Sequence, residues 1–362
     1  MAETISRSFI VIAMETKMIA GRRKFIQISL ATISASLLMG RRSAWGAAQK
    51  DLKIDPVSNE HDSTHRLQSA IDSLSRGAVL RVSSGTYKID ASIGLKLKSD
   101  MTLALDQEAV LEALPASSSN YAVIKIYNAN NVNVLGGFIK GERTLHKGVL
   151  GEWGMGVDIR DCSDILIQDV NISECWGDGI YVGSFPKSNS SGCQRIKINR
   201  VVCDRNRRQG LSLVACNNVT VSDSTFSNTS GTKPACGIDL EPNGRSVVSN
   251  VSIVRCRLTG NAGDGVQFYG RVLASTVESS SMIKNGRFGI RLAGAKNCHV
   301  LENDFQDNAN YDIYVRRDTK DCNVNKNLIG RHGGSSLEAK SISAKTGIRV
   351  FVEKGARNVS VI

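Results

Sequence analysis

The sequence predicts an all-β chain wound as a right-handed parallel β-helix, a solenoid with a capping helix at its N-terminal end. Three observations carry that expectation. Short alternating strand motifs recur at intervals of roughly 22–32 residues, the spacing of stacked repeat architectures. Aromatic residues make up only 5% of the 362, while Gly, Ser, Asn, Val and Ile are plentiful, which suits many short strands joined by tight turns. Each repeat is also too small to bury its apolar side alone, so the pattern makes sense only if coils stack.

The repeat is clearest in two families of strands. First strands fall at 131–134, 164–167, 195–198, 218–221 and 250–253. Third strands, each opened by glycine, fall at 156–159, 179–182, 210–213, 237–240, 265–268 and 289–292. In Gly237-Ile238-Asp239-Leu240 the alternation turns Ile238 and Leu240 inward and Asp239 outward. Outward residues of successive third strands are therefore expected to line up as one solvent-facing column. A β-sandwich, the rival fold, would lack this coil-length self-similarity.

Three segments follow from the pattern: a leader over 1–48, a cap with the first coils over 49–121, and the repeats over 122–362. In the leader, Arg22-Arg23-Lys24 precedes a moderately apolar stretch over 28–39, and small residues follow at Ala44, Gly46, Ala47 and Ala48. That order is a signal peptide. The arginine pair resembles a twin-arginine export signal, with an ordinary secretory signal as the alternative. Either implies a periplasmic or secreted protein with no stable membrane anchor once the leader is removed. Met18 offers a second start. In the second segment, 64–74 reads as an amphipathic helix opened by Asp62 and Ser63, and 79–82 and 85–89 read as strands.

Charge and cysteine content narrow the classes. Residues 1–48 hold seven basic and two acidic side chains, so about +7 of the formal +12 remains on the rest. A mildly basic surface suits an acidic glycan or simple solubility. No basic run is interleaved with aromatics, which argues against a nucleic-acid partner. All nine cysteines lie in the repeats. Cys162, Cys193, Cys216, Cys298 and Cys322 fall near the start of first strands; Cys175, Cys203 and Cys256 are placed before third strands. Equivalent slots in stacked coils make buried small side chains a better account than disulfides. No Cys-x-x-Cys pair signals zinc, and neither a metal nor a cofactor is expected.

The segment 62–89, with Thr64-x-x-Leu67-Gln68-x-Ala70-Ile71-Asp72 and then Gly85-Thr86-Tyr87, resembles the entry to pectate lyase-like and polygalacturonase-like β-helix proteins. The later coils are similar to the bacterial parallel β-helix repeat family, so the resemblance covers nearly all of the chain after the leader. It implies a polysaccharide or oligosaccharide partner and leaves the chemistry open. Where polygalacturonases carry a paired aspartate this chain has Gly177-Asp178-Gly179, and it has no Gly-His-Gly.

Three successive coils concentrate polar residues around the outward column. They carry Trp176, Asp178 and Tyr181; then Arg207, Arg208, Gln209 and Ser212; then Asp239, Glu241 and Asn243. Asp239 and Glu241, two apart, are expected on one strand face, with Asp178 on that face roughly 10 Å away at about 4.8 Å per coil. Two carboxylates on one face are the minimum for glycoside hydrolysis, which makes Asp178, Asp239 and Glu241 the catalytic candidates. Arg207 or Arg208 would grip a substrate carboxylate, with Gln209, Tyr181 and Asn243 as further contacts. Asp264 extends the same column. An insertion over 141–156 is expected to project over the column, bringing His146, Glu152 and Trp153, while Trp153 and Trp176 would offer flat faces to sugars. The leading reading is an exported glycoside hydrolase. The alternatives are a lyase or epimerase acting on uronic acids, with Arg207 or Arg208 neutralising the carboxylate, and a non-catalytic periplasmic glycan-binding protein.

Overall fold

Among the described residues every strand pairing is parallel, and the pairs assemble into three long sheets. The computed structural model describes residues 51–186, 188, 190–329 and 349–362, and the expected leader lies outside them. Among the described residues the first sheet has 13 strands, from Leu52–Ile54 to Ser360–Val361. The second has ten, from Gly85–Ile89 to Leu328–Ile329, and the third has ten, from Leu95–Leu97 to Val350–Val352. The chain visits the sheets in turn, once per coil. Residues one coil apart are therefore neighbours about 4.8 Å away.

That spacing explains the core. Val132, Ile165, Ile196, Val219 and Val251 occupy one register position of the first sheet, and all are essentially buried. Val157, Ile180, Leu211, Ile238, Val266 and Ile290 do the same in the third. Like stacks on like, so each coil closes the apolar surface its predecessor leaves open. The coils are regular well before residue 122: Val79–Val82 and Met101–Leu105 already belong to the first sheet. The one α-helix among the described residues, Thr64–Ser73, buries Leu67, Ala70 and Ile71. Its Gln68 side chain exchanges hydrogen bonds with the backbone N and O of Lys96, in the first strand of the third sheet.

The turn into the third sheet explains the recurring glycine. A Cβ on Gly265 would lie 2.5 Å from the carbonyl oxygen of Gly289, one coil on, and 3.0 Å from Asn285 Nδ2. Beside this corner runs an asparagine ladder. Asn261 donates through Nδ2 to Asn285 Oδ1 at 3.0 Å, and Asn285 donates to Asn308 Oδ1 at 3.0 Å. The same amides donate to the backbone oxygens of Phe226, Leu258 and Met282. Buried backbone groups that the turn would strand are thereby satisfied.

On the outside, the long first-sheet strands each skip one residue in the register, and those residues take left-handed φ values: Asp164 59°, Arg195 55°, Asn218 57° and Asn250 53°. Arg195 grips Asp164 one coil back through two hydrogen bonds, 2.7 and 2.8 Å, and holds its carboxyl down at about 2. All nine cysteines are free and buried. Two lie elsewhere than expected: Cys203 is inside the second-sheet strand Val202–Asp204, and Cys256 immediately precedes the second-sheet strand Arg257–Thr259. The second-sheet strand and the turns on either side of it all bury a small side chain, so a cysteine in the sequence does not by itself say which of these places it occupies.

Gly265→Ala is expected to destabilise the fold by about 1–3 kcal/mol, as overpacking does, because the atoms crowding the new methyl, from Gly289, Asn285 and Met282, all belong to the next coil. Urea unfolding of the variant beside wild type checks this, and an unchanged midpoint would show that the corner has room.

Candidate active site

The third-sheet column is real but not solvent-facing as expected. Register aligns Asp158, Tyr181, Ser212, Asp239, Gln267 and Arg291. Yet Asp158, Ser212, Asp239 and Gln267 are all buried. Short side chains one coil apart bond sideways to each other and to the residues of the corner before the strand, and this shields them from water. Asp239 is the clearest case. Gln209 Nε2 donates to its Oδ2 at 2.7 Å and Gln267 Nε2 to its Oδ1 at 2.8 Å. Gln209 is itself oriented by the Cys236 N–H, which donates to its Oε1 at 2.7 Å.

Asp178 does not stand in that column. It sits in the corner, where its carbonyl accepts from Gly156 N; Gln209, Cys236, Asp264 and Phe288 hold the same place in later coils. From there its carboxylate crosses to the column and accepts from Ser212 Oγ at 2.7 Å. Glu241 is also off the strand, which ends at Leu240, so the expected common strand face for Asp239 and Glu241 is replaced by a turn. Its backbone N donates to Leu213 O at 2.9 Å, which fixes where the turn begins.

Arg208 draws these groups together. Its Nη1 reaches Asp178 Oδ2 at 3.2 Å, its Nη2 reaches Glu241 Oε2 at 3.4 Å, and its Nε lies 3.5 Å from Glu152 Oε2. Exposure grades outward across this cage. The side chain of Asp178 is 0% exposed, Arg208 13%, Glu241 28% and Glu152 38%. Burial pulls the Arg208 guanidinium down, but Asp178, Glu152 and Glu241 together outweigh it and hold the group charged. Burial raises the Asp178 carboxyl above the ordinary aspartate range, with Arg208 and Ser212 opposing. Asp239 is raised well above that range, by burial first and then by the nearby charge of Glu241.

The insertion contributes differently from expectation. Of its residues only Glu152 joins the cage. His146 is buried, with Nδ1 2.8 Å from Glu142 Oε1, and Tyr121 donates to the same carboxylate oxygen. The His146 ring stacks on Trp176 at 3.9 Å and the Arg207 guanidinium lies over that indole at 3.7 Å. Trp176 therefore has no free face for a sugar, because both its neighbours are needed to hold the insertion down. Arg207 donates to Gly151 O and Trp176 O at 3.0 and 3.2 Å, so it clamps the insertion and is not free to grip a ligand. Arg208, caged by three acids, is equally committed. Trp153 keeps about half its surface exposed. Asp264 is buried beside Arg291 at 3.0 Å and stands apart from the cage.

Tyr181 and Asn243 face a different space, a cavity of about 900 Å³ bordered by the turns after two third-sheet strands. Arg160 lies over the Tyr181 ring at 4.4 Å, and burial pushes the Tyr181 hydroxyl up to about 12. Sequence reasoning named Ser212 without giving it a role, and passed over Gln267, Asp158 and Arg160 as site residues. Register could have found the first three, since they share Asp239's position in their strands. Nothing in the pattern marks Arg160. Among the described residues no three His, Cys, Asp or Glu side chains are placed to hold a metal ion, and no helix is long and apolar enough to cross a membrane.

Comparison with known proteins matches the architecture. The model of the right handed beta helix region family covers residues 83–253 and 232–359. The chain belongs to this family. It is 31% identical over 241 residues to the uncharacterized protein YclG of Bacillus subtilis, covering 58% of this chain and 41% of that one. It spans about two fifths of the length of the curated relatives it matches. Among solved structures it is similar to the A-module of the mannuronan C-5 epimerase AlgE4 of Azotobacter vinelandii, with a TM-score of 0.57, 17% identity, and coverage of 83% of this chain and 94% of that one. It is also similar to the family 28 exopolygalacturonase of Yersinia enterocolitica, with a TM-score of 0.52, 12% identity, and coverage of 86% and 78%. At these identities the likeness shows the β-helix fold.

A carboxyl raised by folding favours the folded state at low pH and loses that contribution as pH climbs through its folded value. Asp239→Asn removes this titration. The stability of the variant relative to wild type is expected to improve steadily as pH rises above about 4, the ordinary aspartate range, in thermal melts; a pH-independent difference would place the buried titration elsewhere.

Proposed function

We propose that this β-helix cleaves a polysaccharide by hydrolysis at the Arg208 cage. The observation that carries the reading is that two partly exposed carboxylates, Glu152 and Glu241, flank one guanidinium with Asp178 and Asp239 buried behind them. Touching the same group, they stand no more than about 9 Å apart, which does not exceed the widest spacing of the two acids of glycosidases. One would protonate the departing glycosidic oxygen while the other acts as base or nucleophile. Relative to the sequence expectation, Glu152 joins Glu241 at the substrate, Asp178 becomes the support that holds Arg208 between them, and Asp239 is held behind by Gln209 and Gln267. Trp153, half exposed, offers the stacking face that Trp176 lacks.

The fold supports a polysaccharide substrate, since two of the similar solved structures bear the names of a mannuronan epimerase and an exopolygalacturonase. The committed state of Arg207 and Arg208 favours hydrolysis over β-elimination, which would need a free cation on the substrate carboxylate. The leader expected from Arg22 and Arg23 would place this activity outside the cytoplasm.

The test is a panel of neutral and uronic-acid polysaccharides incubated with wild type, Glu152→Gln and Glu241→Gln. Wild type should release new reducing ends without ultraviolet-absorbing products, and each variant should lose about 100-fold or more in kcat. Unsaturated products would replace this reading with a lyase. Glycan retention without any product would replace it with a binding protein.

A further inference from the structure

The cavity beside the cage carries the opposite electrostatic character from the cage itself. Its lining includes Arg160, Tyr181, Gln194, Asn217, Asn243 and Arg245, with no carboxylate among the described lining residues. Asp158 takes both of its contacts with Arg160 through Nε, at 2.9 and 3.0 Å, and Nη1 makes only a 3.4 Å bond to Ser184 O. Arg245 is exposed, and its side chain has no hydrogen bond or ion pair among the described residues. Two carboxylates stand behind the lining and are already occupied. Asp158 also accepts from Tyr127 at 2.6 Å, and Asp161 accepts from Phe185 N at 3.2 Å and from Ser190 Oγ. What the cavity presents is guanidinium donors, amides and hydroxyls beside the aromatic edge of Tyr181.

The cavity also adjoins the cage. Tyr181 is the register neighbour of Ser212, which bonds Asp178, and Asn243 follows Glu241 by two residues. At about 900 Å³ it lies within the size range of small-molecule sites.

We propose that this cavity is a glycan subsite for a sugar bearing an anionic group, a carboxylate or a sulfate ester, next to a scissile bond at a sugar without one. The inference rests on the polysaccharide reading. The cage, with three carboxylates on one guanidinium, repels an anion; the cavity accepts one, with Arg245 unpaired and no acid among its described lining residues. Planar guanidinium donors suit both oxyanions. The polymer therefore carries its charge on a residue or branch displaced from the cleavage point.

The test is calorimetric titration of the full chain carrying Glu241→Gln, so that probes survive. The probes are a galactose tetramer, a galacturonic acid tetramer and a sulfated galactose tetramer. At least one anionic probe should bind about tenfold tighter than the neutral one, weaken with salt, and lose that advantage in Arg245→Ala while keeping part of it in Arg245→Lys. Which probe gains identifies carboxylate or sulfate as the source. Equal binding of neutral and anionic probes, no binding of either anion, or a preference untouched by Arg245→Ala would each overturn the proposal. An anionic preference lost with Arg245→Ala, in a protein that cleaves no glycan, would instead sink the hydrolase reading and leave the subsite standing.

Discussion

Parallel pairing of successive coils in fixed register is the constraint on which everything else in this chain depends. It is enforced most tightly at the corner before the third sheet, where the glycine of one coil faces the carbonyl oxygen of the next glycine and no side chain fits between. A slip of one residue would turn the Ile and Val stack outward and point the polar column into the apolar interior. The asparagine ladder reinforces the same register, because each amide bonds both a backbone oxygen and the next amide. Core, corner and ladder all describe one spacing.

The cage exists because that spacing brings three of its groups from separate coils within hydrogen-bonding distance, while the insertion supplies only Glu152. Asp178, Arg208 and Glu241 come from three consecutive coils, and each is held where its strand begins or ends. Burying Asp178 and Asp239 is costly unless partners replace water. For Asp178 these are a guanidinium and a hydroxyl; for Asp239, two amides. The inner acids are thus rigid, and the outer pair, Glu152 and Glu241, keeps access to solvent. Such a gradient of exposure, from fixed support to reachable acid, is what a preorganised site requires.

The fold was almost fully legible in the sequence, because Gly-Ile-Asp-Leu and its repeats encode both the alternation and the corner. Even strand limits agree to within a few residues, as for Ile238–Leu240 against 237–240. Which side chains gather was legible in part, but their geometry was not. Arg208, Asp178, Asp239 and Glu241 do converge, yet alternation alone turned Asp239 to solvent, and it could not show that Gln209 and Gln267 would cover it. Trp176 read as a sugar platform because nothing in its local sequence reveals that His146, 30 residues earlier, and Arg207, 31 later, stack against it. Contacts between coils are set by turn lengths, and those are the least regular part of the pattern.

The turns that leave the third sheet vary greatly in length. Seven residues separate Leu240 from Val248 and nine separate Gly183 from Cys193, but only two separate Leu213 from Cys216, and the first-sheet strands that follow keep their pairing throughout. Scaffold and lining are therefore free to change separately. A lineage could lengthen, shorten or recharge these turns and so reshape the cavity they border while every strand beneath kept its place. Chains built on this plan would then differ in their lining far more than in their shape.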